Sequence, residues 1–172
     1  ALAGRSWVAG RIDFPIASTE CIIGSGVKQE KRESLLMGCV NFSMRFFPGG
    51  GIEKSAMKEA ELEARLIVQG IESDFSHGQW DEAIGSSGSI RAIADILEEN
   101  GWSKGITLDG MAQLREAMLS AGHADKLELA GLRADRRPVL AGGFAILSGL
   151  FAELGISQMN PAAGALREGI LY

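Results

Sequence analysis

Ala83-Ile84-Gly85-Ser86-Ser87-Gly88-Ser89-Ile90-Arg91-Ala92-Ile93-Ala94-Asp95-Ile96-Leu97 decides how this chain is to be read. The apolar Ala83 and Ile84 read as the end of a short strand, Glu82 to Gly85. Gly85 and Gly88 permit a tight turn with exposed backbone N–H groups. Ser89 reads as the N-cap of the apolar-periodic helix that follows, and Asn100-Gly101 reads as its C-terminal stop. A strand, a Gly/Ser turn and a helix N-terminus together make a geometry that binds phosphate. Backbone donors converge there, and the helix dipole favours negative charge. The same turn also serves as a plain connection, and alone it does not separate the two roles.

On the N-terminal side, Ser18 to Gly24 reads as a strand, Gly24-Ser25-Gly26 as a turn, and Val27 to Val40 as paired strand sequence. Pro48-Gly49-Gly50-Gly51 is a loop. Met57, Ala60, Ala64, Ile67 and Ile71 recur at helical spacing, which predicts an amphipathic helix on a sheet face from about Ser55 to Ile71. On the C-terminal side a helix runs from about Leu108 to Ala121 and stops at Gly122. Pro138 suits the first turn of the most apolar segment, Val139 to Leu154, which reads as a buried helix. Gly142-Gly143 within it let another backbone or a ligand approach closely. Ile156 to Met159 reads as a short strand, Asn160-Pro161 as a turn and Ala165 to Leu171 as a last helix. Strands followed by helices alternating with short strands predict an α/β domain with a mixed sheet covered by helices.

The 172 residues are enough for one domain with a sizeable core, at 46% hydrophobic and 23% charged. A net charge of −5 argues against a general nucleic-acid binder and against an anionic-membrane binder. A local basic cluster or a divalent cation would still let the chain hold a polyanion. Lys28, Lys31 and Arg32 form one such cluster, and Arg133, Arg136 and Arg137 another; both also read as solvated charged faces. Cys21 and Cys39 lie in apolar, strand-like sequence, away from any histidine or helix N-terminus. They read as reduced, buried thiols of a cytoplasmic protein. His77 and His123 are too far apart to predict a zinc site. No apolar run reaches the roughly 18 residues of a membrane span. Both ends read as cuts through a longer protein.

Four ordered blocks carry a family resemblance. They are Ser18-Thr19-Glu20-Cys21-Ile22-Ile23-Gly24; Met37-Gly38-Cys39-Val40-Asn41-Phe42 followed by Phe47-Pro48-Gly49-Gly50; the run from Gly85; and Gly164-Ala165-Leu166-Arg167-Glu168-Gly169-Ile170-Leu171-Tyr172. From Ser18 onward the chain resembles the exopolyphosphatase / guanosine pentaphosphate phosphatase family. The resemblance implies a ribonuclease H-like, actin-like fold, with residues 1–172 forming the second of two catalytic lobes and residues 1–17 matching poorly. It implies hydrolysis of inorganic polyphosphate or of the γ-phosphate of pppGpp with Mg²⁺, with polyphosphate favoured by Phe47-Pro48-Gly49-Gly50. The general-base glutamate belongs to the first lobe, so no catalytic residue is expected in this chain.

The family's phosphate loop, Asp-hydrophobic-Gly-Gly-Gly-Ser-Thr-Glu, falls on Asp13 to Glu20, where Pro15, Ile16 and Ala17 replace the three glycines. Proline removes a donor, and isoleucine brings a branched side chain where the family brings backbone. The resemblance implies phosphate-binding roles for Ser18, Ser86, Ser87, Gly88, Gly142 and Gly143, and metal-associated roles for Asp13 and Glu20. Arg167 and Glu168, in the last block, read as structural residues, an ion pair that anchors the last helix. A lobe built to face another predicts exposed apolar surface and a homodimer or a first-lobe partner. The departures at residues 15–17 leave a second expectation standing, a module that keeps the fold without turnover.

Overall fold

Residues 9–13, 17–26 and 28–162 are described by the structure, a computed structural model. Three strands come first: β1 (Ala9–Asp13), β2 (Thr19–Ser25) and β3 (Lys28–Leu35). Helices α1 (Cys39–Phe46), α2 (Lys54–Gln69) and the single turn α3 (Glu72–Phe75) follow. Then come β4 (Glu82–Ser86), α4 (Gly88–Glu99), β5 (Ile106–Thr107), α5 (Leu108–Ala121), α6 (Arg137–Leu154) and β6 (Gln158–Pro161). The strands form one sheet in the order β3-β2-β1-β4-β6-β5. Strands β1, β4 and β6 run parallel, whereas β2, β3 and β5 pair antiparallel with their neighbours. This is the mixed sheet expected.

Alternation sets the faces of β2: Thr19, Cys21 and Ile23 are buried and Glu20 and Ile22 lie on the other side. The Thr19 hydroxyl donates to the Met37 carbonyl at 2.7 Å and pins the start of β2 to the end of the hairpin. Along β3 only Leu35 is buried, and Lys28, Glu30, Lys31, Arg32 and Glu33 guard this sheet edge with charge. Helix α6 is the centre of the helical side, with twelve buried residues from Leu140 to Leu154. The apolar face of α2 (Met57, Ala60, Ala64, Val68) lies on α6, where a Cβ on Gly149 would come 2.6 Å from that of Ala64. The helix expected on a sheet face therefore packs on another helix. Arg65 and Glu153 close the same crossing at 2.6 Å.

Several boundaries differ from expectation. The paired strand sequence ends at Leu35, and Gly38 opens α1, whose Cys39, Phe42 and Ser43 are buried at helical spacing. Cys39 is thus the first residue of a helix rather than part of a strand; an apolar Cys-Val start carries no local signal to tell the two apart. Asn160 and Pro161 complete β6, with Pro161 paired to Gly85 at the strand's last position, where the missing N–H matters least. The last helix, Arg167 and Glu168 lie outside the described residues. Gly122, at φ +71°, ends α5 as expected, and Pro138 sits in the first turn of α6.

Cys21 and Cys39 are both buried and free. Burial, with the charges of Glu20 and Glu33 adding to it, pushes the Cys21 thiol up to about 12. The helical segment Ala134–Leu154 is long and apolar enough to cross a membrane by length and composition, and most of its apolar window is buried within this fold.

Candidate functional site

Strands β1 and β4 run side by side and end together. Asp13 stands opposite Ser86 on one side and opposite Glu20 on the other, so Glu20, Asp13 and Ser86 form one row across three strands. The carboxyl ends of parallel strands are where open α/β sheets bind ligands. Beyond Ser86 the chain takes one extended residue, Ser87, and enters α4. Gly85 has no room for a side chain: a Cβ would lie 2.6 Å from both Ile90 Cγ2 and Met159 Sδ. That close approach seats the start of α4 directly on the strand end.

The helix cap is Ser87, two residues earlier than expected, and its Oγ accepts from the Ile90 N–H at 3.1 Å. Ser89 lies inside the helix and is buried. The remaining first-turn donors, on Gly88 and Ser89, have no acceptor within the helix. Above Gly88 lies the guanidinium of Arg136: a Cβ there would come 2.5 Å from its Cζ. Arg136 ends the 3-10 turn Ala134–Arg136 and is one third exposed, with Asp135 3.6 Å from its Nε. A helix N-terminus faced by a guanidinium holds an anion by donors and charge together. The next residue, Arg137, has a buried Nε without a hydrogen-bond partner.

Glu20 has its carboxylate held from three sides. Ser34 Oγ donates to Oε1 at 2.6 Å, Ser18 Oγ to the same oxygen at 3.3 Å, and Arg32 Nε and Nη2 both to Oε2 at 3.3 Å. The Ser34 hydrogen bond is the strongest influence lowering the pKa below the usual carboxylate value; burial opposes it, and Arg32 and Ser18 assist. An ionised carboxylate with hydroxyl neighbours is an oxygen donor of the kind Mg²⁺ takes, since that ion uses one or two carboxylates and keeps waters and phosphates as its other ligands. Among the described residues no three His, Cys, Asp or Glu cluster as a dedicated metal cage. Glu20 would thus offer such an ion one carboxylate, with water or phosphate oxygens completing its ligands.

The expected residues are thus brought together in part. Asp13, Glu20 and Ser86 share the row of strand ends, Ser18 joins it through its hydrogen bond to Glu20, and Ser87 and Gly88 start the adjoining helix. Gly142 and Gly143 lie buried within α6, close against neighbouring helices rather than as open backbone in that row. Gly142 packs on α1, where a Cβ would meet Ser43 Oγ and lie 2.6 Å from the Cys39 carbonyl. Gly143 faces Ser89 and Cys39, whose Cβ atoms would be 3.3 and 3.5 Å away. Both glycines are buried; three helices need the space.

The basic clusters also divide. Lys31 pairs with Asp74 at 3.2 Å, Arg32 turns to Glu20, and Arg133 pairs with Asp135 at 3.1 Å, leaving Arg136 as the cluster member over the helix start. Sequence reasoning placed Arg136 only in a general basic cluster and gave Ser34 no role, because nothing local ties them to Gly88 or Glu20. A separate concavity of about 510 Å³ lies between α1, the Pro48–Gly50 turn and His123, and none of the expected phosphate- or metal-binding residues lines it.

The model of the Ppx/GppA phosphatase family matches residues 8–172. Over 175 residues the chain is 35% identical to the guanosine-5'-triphosphate,3'-diphosphate pyrophosphatase of Aeromonas hydrophila subsp. hydrophila, a match covering 98% of this chain and 35% of that protein. The crystal structure of the Aquifex aeolicus Ppx/GppA phosphatase, type II variant, shares the fold with a TM-score of 0.81 at 18% identity, over 98% of this chain and 57% of that one. An exopolyphosphatase from Cytophaga hutchinsonii gives 0.78 at 16% identity, over 100% of this chain and 58% of that one. The chain spans about a third of the length of the curated relative it matches.

Proposed function

The chain belongs to the Ppx/GppA phosphatase family, and we propose that it is the second actin-like lobe of a phosphoanhydride hydrolase. Its substrate class is a terminal phosphate on a polyanion, either inorganic polyphosphate or the γ-phosphate of pppGpp. The 35% identity to a guanosine pentaphosphate enzyme favours pppGpp, against the polyphosphate preference drawn from Phe47-Pro48-Gly49-Gly50.

The observation that carries this reading is the guanidinium of Arg136 over Gly88 at the start of α4. Phosphoryl transfer asks chiefly for positioning and charge stabilisation. In this reading the Gly88 and Ser89 amides and Arg136 hold non-bridging oxygens, Ser87 keeps the helix start rigid, and Ser86 and Ser18 flank the anion. Asp13 and Glu20 are the residues that would hold Mg²⁺, which when bound supplies charge neutralisation at the phosphate oxygens. The general base that activates water comes from a first lobe, so these residues bind and orient rather than abstract a proton. The buried thiols of Cys21 and Cys39 suit a reducing cytoplasm. Exposed Met44, Leu62 and Leu66 suit contact with a first lobe or a second copy.

The second reading, a module without turnover, rests on Pro15, Ile16 and Ala17 standing where the family's loop has glycines. Phosphate release from long-chain polyphosphate and from pppGpp with Mg²⁺ separates the two. The expected result is release when the chain is joined to an upstream lobe and none above blank without it. Inert protein in both forms would leave only the binding module.

A further inference from the structure

The β3 edge strand carries chemistry that its position alone does not require. Ser34 stands directly opposite Glu20 in the β2–β3 register, and Arg32 is two residues further along the same face. The two residues grip Glu20 unequally. Ser34 makes a short bond to Oε1, 2.6 Å, whereas Arg32 places both its Nε and its Nη2 on Oε2 at 3.3 Å. Elsewhere in the fold Arg115 binds Glu61 as a true fork, Nε to one oxygen at 3.0 Å and Nη2 to the other at 3.2 Å. Arg32 is 58% exposed and its carboxylate partner only 15%.

Resting on the reading of Glu20 as a metal-associated carboxylate, we propose that Arg32 is a resident counter-ion that a divalent cation displaces from Oε2. Ser34 is the positioning residue that keeps the carboxylate in place through the exchange. Arg32 gives the Glu20 carboxylate a positive neighbour without a metal. A cation at Oε2 and a guanidinium on the same oxygen repel each other, so the two compete. Arg32 can withdraw into solvent at small cost, because an exposed ion pair on a strand edge is weak. Ser34 has no charge to compete with and already occupies Oε1. Neighbours of this kind that orient a ligand set metal affinity without touching the metal.

Mn²⁺ binding to the 172-residue chain, followed by electron paramagnetic resonance of the free ion, reads this without any turnover. Arg32→Gln is expected to tighten Mn²⁺ several-fold. Ser34→Ala is expected to weaken it roughly tenfold, with Ser34→Thr restoring affinity. Glu20→Gln is expected to abolish it. Thermal melts accompany each variant, and Arg32→Gln, at an exposed edge, keeps the test open if Ser34→Ala folds poorly. Loss of binding in Glu20→Gln with no change in Arg32→Gln, or with weaker binding there, overturns the counter-ion proposal and leaves Glu20 a ligand. Unchanged binding in Glu20→Gln instead removes the metal reading itself, and the proposal with it.

Discussion

Gly88 and Gly142 present the same obstacle to a side chain, yet they meet different kinds of neighbour. A Cβ on Gly88 lands in the guanidinium of Arg136, the far end of a flexible, one-third-exposed side chain. On Gly142 it lands on Ser43 Oγ and on the backbone of Cys39 and Ser43, inside two packed helices. The resemblance to known phosphatases assigns both glycines to phosphate. The structure separates them: one sits at a surface where charge and donors converge, and the other is the reason α1 can lie against α6. A close approach marks a candidate ligand site when what approaches can move, and it marks packing when it cannot.

The largest effect that would test this contrast belongs to Gly142→Ala. Overpacking two helix backbones should cost roughly 3 kcal/mol of folding stability, read by urea denaturation, whereas unchanged stability would place the glycine outside the interface. Gly88→Ala should do the reverse. The melting temperature should hold or rise slightly, because alanine favours a helix over glycine. Tripolyphosphate affinity, measured by calorimetry, should fall roughly tenfold, or about 1.4 kcal/mol, as Arg136 is pushed aside. Intact affinity in Gly88→Ala would dissolve the distinction.

The smallest effect sharpens the row of strand ends beside Gly88. Hydrogen bonding from Ser34 first, with Arg32 and Ser18, holds the Glu20 pKa below the usual 4.5. A depressed carboxylate pKa contributes stability above the unfolded-state value and loses it as pH falls through the folded-state value. The stability gap between the native chain and Glu20→Gln should therefore be full above about pH 4.5 and shrink on further acidification. A gap independent of pH would mean that the Ser34 and Arg32 contacts do not persist in solution.

Much of the fold was legible because its signals are local. Gly122 had to end α5, since a left-handed residue closes a helix most cheaply as glycine, and the spacing of Met57, Ala60 and Ala64 marked α2. Cys39 was misplaced because Leu35 to Val40 is apolar throughout and has no period to tell a strand from a helix start. The N-cap moved from Ser89 to Ser87 because three serines in four residues offer the same hydroxyl, and only the path of the chain over Gly85 selects one. For the candidate site, sequence supplied the Ser86–Gly88 turn and Glu20 but neither Arg136 nor Ser34 as their neighbours.

By itself the sequence determined the α/β class, the helix stops at Asn100 and Gly122 and the family, since caps, periodicity and ordered motifs act over a few residues at a time. Tertiary structure decided which glycine faces an arginine and which faces a helix, and which hydroxyl and guanidinium hold Glu20. Those outcomes depend on residues far apart in the chain meeting in the close-packed interior and at the ends of parallel strands. There a single Cβ or a single hydrogen bond settles the arrangement, and no local pattern encodes it.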